Sequence, residues 1–290
     1  MSNSESASRR WRVVGRSVRG AQHVRRQLPN QDALAWWPPD GVGTTVVLAV
    51  ADGHGSAQSP RSAEGARLAV ETAVRVLREE LEAREPPGPE TLRKLARKVL
   101  PLRLAGGWRK AVLSHLKENP WPPRDNPGTL KSLPRSKAAN PFLVYGTTLL
   151  VTLVTPVALL LLQIGDGDML TVRDEGVERP LPNDPDLLPN ETLSLCASNA
   201  AVSFRSAVIL LSEATPSLIV VSTDGYANSF RDDASFRRVG SDLLGLIRSE
   251  GLEAVEAHLE QWLSEASEQG SGDDVTLGLL YPCQTTEVGQ

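Results

Sequence analysis

The stretch VVLAVADGHGSAQSP, from Val46 to Pro60, changes character at Asp52. Six small apolar residues lead to a carboxylate, a glycine and one of the chain's four histidines. The apolar run reads as a central strand that fixes position. Asp-Gly-His-Gly cannot continue a packed strand, so the strand ends by presenting polar groups.

Similar runs recur outward from it. TTVVLAVA (44–51), TTLLVTLV (147–154), VALLLLQI (157–164), SAVILL (206–211), LIVVS (218–222) and VTLGLL (275–280) are rich in Val, Leu, Ile and Thr. Gly, Pro or Asp bounds each of them, which is strand vocabulary. The segment Leu149 to Ile164 is sixteen residues long with Thr155-Pro156 inside it. A membrane span needs roughly 20 apolar residues, so two buried strands joined by a tight turn are expected instead.

Helices are expected between the strands. After Ser59-Pro60, read as a cap and first-turn proline, Ala66, Val70, Ala73, Val74, Leu77 and Leu81 recur at helical spacing up to REPPGP. Leu92, Leu95, Ala96 and Val99 form a second helix that Pro101 breaks or kinks. Trp108 to Leu116 starts a third piece, and Leu252 to Leu263 another; His115 and His258 are read as packing or surface residues. The proline-rich Lys117 to Pro141 reads as an exposed loop. Hairpin strands with helices in separate blocks argue α+β layers and not a doubly wound parallel sheet.

Composition narrows the function. The 290 residues carry a net charge of −4 and only 4% aromatics, which excludes the basic surface and stacking platforms of a nucleic-acid binder. Cys196 and Cys283 give neither a disulfide framework nor a metal clip, and the polar N-terminus lacks a secretory apolar segment. A cytoplasmic protein is expected, with no membrane and no nucleic-acid partner.

Acids stand at five strand ends. Asp32 begins one in NQDALAWW, Asp52, Asp166 and Asp224 come after others, and Asp273-Asp274 precedes the last; glycine comes directly after Asp52, Asp166 and Asp224. Each Asp-Gly alone is ordinary turn chemistry. As a set, converging carboxylates repel and lose hydration. Hard divalent cations remove both costs, because Mg²⁺ and Mn²⁺ take oxygen ligands. No phosphate-loop, Rossmann, zinc-helix or nucleophile-elbow pattern competes with that reading.

In order, NQDA, VVLAVADGHGS, YGTTLLVTLV, LLLLQIGDGDML, LIVVSTDGYANSF and GDDVTLGLL resemble the motifs of the metal-dependent protein phosphatases of type 2C, the PPM family. The resemblance runs from about Trp11 to Tyr281. It implies a single domain over 11–282, between a flexible N-terminal tail (1–10) and a C-terminal tail (283–290). The implied fold is a four-layer αββα sandwich, two central antiparallel sheets flanked by helices. The implied activity is hydrolysis of phosphoserine or phosphothreonine with two Mn²⁺ or Mg²⁺ ions.

By position, the resemblance makes Asp52 the bridge between metals and Gly53 a carbonyl ligand, with Asp224 and Asp273 completing the first shell. Asp32 would hold water at the second metal, and Asp166 matches a third, weaker site. A hydroxide bridging two ions would attack phosphorus, and His54 would protonate the leaving alkoxide. Arg25 or Arg26 would grip the phosphate, with His23 nearby as a possible helper; the spacing leaves the choice open. Gln31 stands where many members carry Glu, Asp274 where Asn is common, Gly167 and Thr223 where Ser is common.

The partner expected is a phosphorylated protein, a serine/threonine kinase or its target, bound by a monomer. A substrate-facing flap is expected within 182–215. Two rivals stay open: a catalytically weak phosphatase-like docking module, and a dimetal phosphatase of a small phosphorylated molecule. Loss of Asp52, Asp224 or Asp273 would favour the first, and all three are present.

Overall fold

The computed structural model describes residues 9–83, 87–120, 140–181 and 193–283. Most of both expected tails, most of the proline-rich loop and the first part of the expected flap lie outside the described residues.

In chain order the elements are β1 (Arg10–Val18), α1 (Ala21–Arg26), β2 (Asp32–Trp37), β3 (Val42–Gly43), β4 (Val46–Asp52), α2 (Ser62–Glu82), α3 (Pro89–Lys94), α4 (Leu100–Glu118), β5 (Leu149–Val154), β6 (Ala158–Ile164), β7 (Asp168–Arg173), β8 (Gly176–Glu178), β9 (Arg205–Leu210), β10 (Leu218–Ser222), α5 (Asp224–Ala227), α6 (Asp233–Glu250), α7 (Leu252–Gln269) and β11 (Val275–Cys283). Among the described residues the strands form a six-stranded sheet, β3-β1-β11-β10-β7-β8, and a five-stranded sheet, β2-β4-β5-β6-β9. Neighbours pair antiparallel throughout.

Strand β4 explains why its sequence has no polar alternation. Val46, Leu48 and Val50 enter the core between the sheets with Trp11, Val13, Leu150, Leu161, Ile219 and Val221. Val47, Ala49 and Ala51 enter the core beneath α2, α3 and α4. All six are 0% exposed, because both faces of the strand are covered. A third core packs α6 and α7 on the outer face of the six-stranded sheet. The result is the expected αββα sandwich, and each buried Val or Leu contributes about 1.5–3 kcal/mol toward holding it. The hairpin from β5 to β6 turns at Thr155, whose Oγ1 accepts from the Ala158 N–H at 3.1 Å. Among the described residues, no helix is long and apolar enough to cross a membrane.

Two local expectations are corrected. Ser59 does not cap α2: its hydroxyl donates to the Leu143 carbonyl at 2.6 Å, and the helix starts at Ser62. Pro101 does not break the helix. A π turn over Leu95–Val99 precedes it and the chain continues directly into α4, so the second and third pieces run on as one helical stretch. The wide turn adapts the helix to a residue without an N–H. Strands β1 and β7 and helix α6 are additional to the runs legible in the sequence. Arg10, Arg12 and Arg16 mask β1, where Arg12 pairs with Glu253 and Glu256 of α7. Gly240 and Gly245 interrupt the pattern of α6. An ideal Cβ at Gly240 would stand 2.9 Å from Val172 Cγ2, so that glycine lets α6 pack close on β7.

Candidate metal centre

Strands β2 and β4 pair with Asp32 opposite Asp52, so one sheet delivers two carboxylates side by side. The other sheet supplies Asp224, first residue of α5 after β10, and Asp273, two residues before β11. Asp166 lies exposed between β6 and β7. Thus the five strand-end acids come from both sheets.

The backbone at Asp52 is fixed by the YGTT stretch. The Asp52 N–H donates to Thr148 Oγ1 at 3.0 Å, and its carbonyl accepts from Thr148 N–H and Thr147 Oγ1, both at 2.8 Å. The carboxylate is left for other partners. Gly53 is wedged: an ideal Cβ would stand 2.6 Å from the Gln31 carbonyl oxygen and 2.7 Å from that of Ser62. The His54 N–H donates to the Gly146 carbonyl at 3.0 Å, and a Cβ at Gly146 would stand 2.6 Å from the imidazole Cδ2. Gly146 is therefore the floor on which the His54 ring lies.

Asp32 is held differently. Its Oδ2 accepts from the hydroxyls of Thr223 at 2.8 Å and Thr276 at 2.7 Å, which reach across from the other sheet. Asp274, the departure from Asn, is buried and uses both oxygens: Oδ1 accepts from Gly20 N–H and Oδ2 from Gln31 N–H, each at 2.6 Å. An amide would turn an NH₂ toward one of those donors, so the carboxylate is the better fit.

Burial pushes the Asp52 carboxyl well above the usual carboxylate range, and the charges of Asp32, Asp224 and Asp166 add to it. Burial raises Asp224 too, and the charges of Asp166 and Asp273 add to it, against the Asn228 amide that donates to its Oδ2 at 3.0 Å. Burial also lifts Asp32 well up, against its two threonine donors. Burial lowers the His54 imidazole below its ordinary value, and the Asp166 charge opposes that. The donor set around Asp52 is all hard oxygen with no neutralising cation among these causes, which fits Mg²⁺ or Mn²⁺. Asp32, Asp52, Asp166, Asp224 and Asp273 are thus electrostatically linked.

Arg25 and Arg26 are not drawn in. They are exposed at the end of α1, and neither makes a hydrogen bond or ion pair among the described residues. The residues that sequence reasoning missed are the supports: Thr147, Thr148, Thr223, Thr276 and Gly146. Their only signal was a hydroxyl or glycine at the edge of an apolar run. His115 bonds Tyr145 Oη at 2.9 Å and His258 stacks on Trp262, so both are structural.

A family model described as protein phosphatase 2C matches residues 19–264. Among curated proteins none matches the chain. Solved structures are similar over nearly the whole length. The catalytic domain of the serine/threonine protein phosphatase PstP, in complex with two manganese ions, is 19% identical over 95% of this chain and 100% of that one, with a TM-score of 0.57. A bacterial serine phosphatase is 15% identical over 95% and 99%, at 0.59. Stp1 from Staphylococcus aureus is 16% identical over 93% and 94%, at 0.56. At such identities the likeness is one of fold.

Proposed function

Because the chain belongs to the protein phosphatase 2C family of metal-dependent serine/threonine phosphatases, we propose that it hydrolyses phosphoserine and phosphothreonine in proteins at the Asp52 centre. The carrying observation is Asp32 set opposite Asp52, with Asp224 and Asp166 near enough that their charges raise the Asp52 carboxyl, an accumulation of acids that bound cations make favourable at neutral pH. Asp52 would bridge two Mn²⁺ or Mg²⁺ ions, with Gly53 through its carbonyl, Asp224 and Asp273 as further ligands, Asp32 as an outer acceptor and Asp166 toward a weaker third ion. Bound there, the ions would supply Lewis acidity toward the phosphoryl oxygens and an acidified water.

The remaining work falls to the chain's own groups. Thr147 and Thr148 hold Asp52 in place, and Thr223 and Thr276 hold Asp32. His54, fixed against Gly146, would hand a proton to the leaving serine or threonine oxygen. Burial disfavours its charged form, so the Asp166 carboxylate serves it by drawing the proton back. Arg25 or Arg26, exposed beside the centre's first strand, would engage the substrate phosphate. The substrate would be a serine/threonine kinase or its target, met by a monomer in the cytoplasm.

The purified chain should hydrolyse a phosphoserine peptide with Mn²⁺ or Mg²⁺ and stop in chelator. Asp52→Ala should lose activity together with the two ions that Asp52 would bridge. Undiminished turnover in chelator would sink the metal mechanism, and weak or absent metal binding without turnover would favour a docking module.

A further inference from the structure

A second group of ligand atoms lies beside this centre. His23 is 8% exposed and sets Nδ1 2.8 Å from Asp274 Oδ2, off the line for a hydrogen bond. Asp274 is itself anchored by Gly20 and Gln31, so it is a fixed neighbour of the ring. Nε2 then faces Asp273 Oδ1 at 3.8 Å, too far for a hydrogen bond. One ligand atom from each of His23, Asp273 and Asp274 lies within 4.8 Å of the others.

An independent observation points into the same place. Gln31 is 9% exposed and its Oε1 has no hydrogen-bond partner. An ideal Cβ at Gly55 would stand 3.0 Å from that oxygen and 3.9 Å from His23 Nε2. Both atoms approach one point, which glycine keeps open. An orphaned buried carbonyl costs about 1–3 kcal/mol, so something is expected to meet it.

The groups around that point decide what. A carboxylate, an amide oxygen and an imidazole lone pair all donate electron density, so an anion would be repelled and a cation drawn in. Ligands on bonds of about 2.1 Å stand roughly 3–3.5 Å apart on one ion; a small rotation of the exposed Asp273 closes the gap from 3.8 Å. Asp274 Oδ2 stands 2.8 Å from the far nitrogen, so a small turn of the ring lets Nδ1–H donate to it, which is how proteins orient a metal-binding imidazole.

We propose that His23 Nε2, Asp273 and Gln31 Oε1 form a further cation site, with Asp274 orienting the imidazole. The nitrogen ligand selects a borderline divalent ion, Mn²⁺, Co²⁺ or Zn²⁺, over Mg²⁺. This site is separate from the all-oxygen pair at Asp52 and from the position at Asp166, and it shares only Asp273 with the former.

The test is a Co²⁺ titration followed by visible absorption on the full-length Asp52→Ala protein, which lacks the bridging carboxylate. One equivalent should bind with a ligand-field band, and adding His23→Ala should weaken it by about tenfold or more. No Co²⁺ bound by Asp52→Ala, or equal binding with and without His23, overturns the site and leaves the two-metal reading to stand or fall on the chelator experiment. Should His23→Ala fail to fold, imidazole ¹⁵N spectra of the wild type with Zn²⁺ serve instead. One of the four histidines should show a coordinated Nε2 and a protonated Nδ1; imidazole shifts unchanged by Zn²⁺ overturn the proposal.

Discussion

Two pairs of aspartates in the same few ångströms of protein live under opposite rules. Asp32 and Asp274 are filled by the protein: two threonine hydroxyls meet one, two backbone N–H groups the other. Asp52 and Asp224 lie among further carboxylates, and the one side-chain N–H that donates to either of them among the described residues is the Asn228 amide on Asp224. The filled pair is framework, since its hydrogen bonds tie β1, β2, β10 and β11 together at one end. The other pair is reactive surface, because what the protein withholds from it a ligand must supply. A carboxylate's partners, more than its position at a strand end, separate the two roles.

The contrast breaks most visibly at Asp224. Asp224→Ala should lower kcat/KM by roughly 10³-fold or more, about 4 kcal/mol of transition-state stabilisation, while urea denaturation in chelator should leave stability unchanged or raised. Asp274→Asn should do the reverse in its larger effect. Disturbing a buried carboxylate that accepts two N–H bonds should cost about 2–3 kcal/mol in the same denaturation experiment. If Asp274→Asn proved as stable as the parent, the framework role assigned to Asp274 would be wrong.

A pH series sharpens the comparison further. Burial raises Asp52 and Asp224 in the folded state above their unfolded values, so their contribution favours folding at low pH and is lost as pH rises through the raised folded values. In chelator, the Tm should therefore fall as pH climbs above the ordinary carboxylate range. Mn²⁺ should flatten that slope, and Asp52→Asn should remove part of it; a slope identical in the variant would refute the cause. The smallest effect belongs to Thr223→Val, which takes one donor from Asp32. It should cost about 1 kcal/mol and weaken activity chiefly toward acid pH, where Asp32 holds its proton more readily.

Much of this was legible in the sequence, for reasons the structure makes clear. Strands β4, β5 and β6 are covered on both faces, so they read as unbroken apolar runs, and the acids after them stand out by contrast. Strand β1 was hidden because arginines interrupt its apolar pattern, and Arg12 finds its partners on α7, far away in sequence. Helix α6 was hidden because a close approach to β7 put a glycine where the pattern wanted an apolar residue. At the centre, the acids were readable one by one, whereas their supports were not: a threonine in a β-rich run has no mark that says its hydroxyl will cross to another sheet. Arg25 and Arg26 teach the converse, since a suitable residue type near the motif arrives exposed and uncommitted.

The hydroxyls of Thr223 and Thr276 cross from one sheet to Asp32 on the other, and this gives the molecule a clasp. Each half of the centre rides on a different slab, and between the slabs the core is apolar, with contacts that have no preferred direction. Sliding one slab by a single residue would shift it about 3.4 Å, enough to pull the halves out of reach. The clasp opposes that slide at the open end, as Leu48 and Ile219 do inside. A trimmed side chain deep between the slabs should therefore be felt at the rim as slack in the jaw.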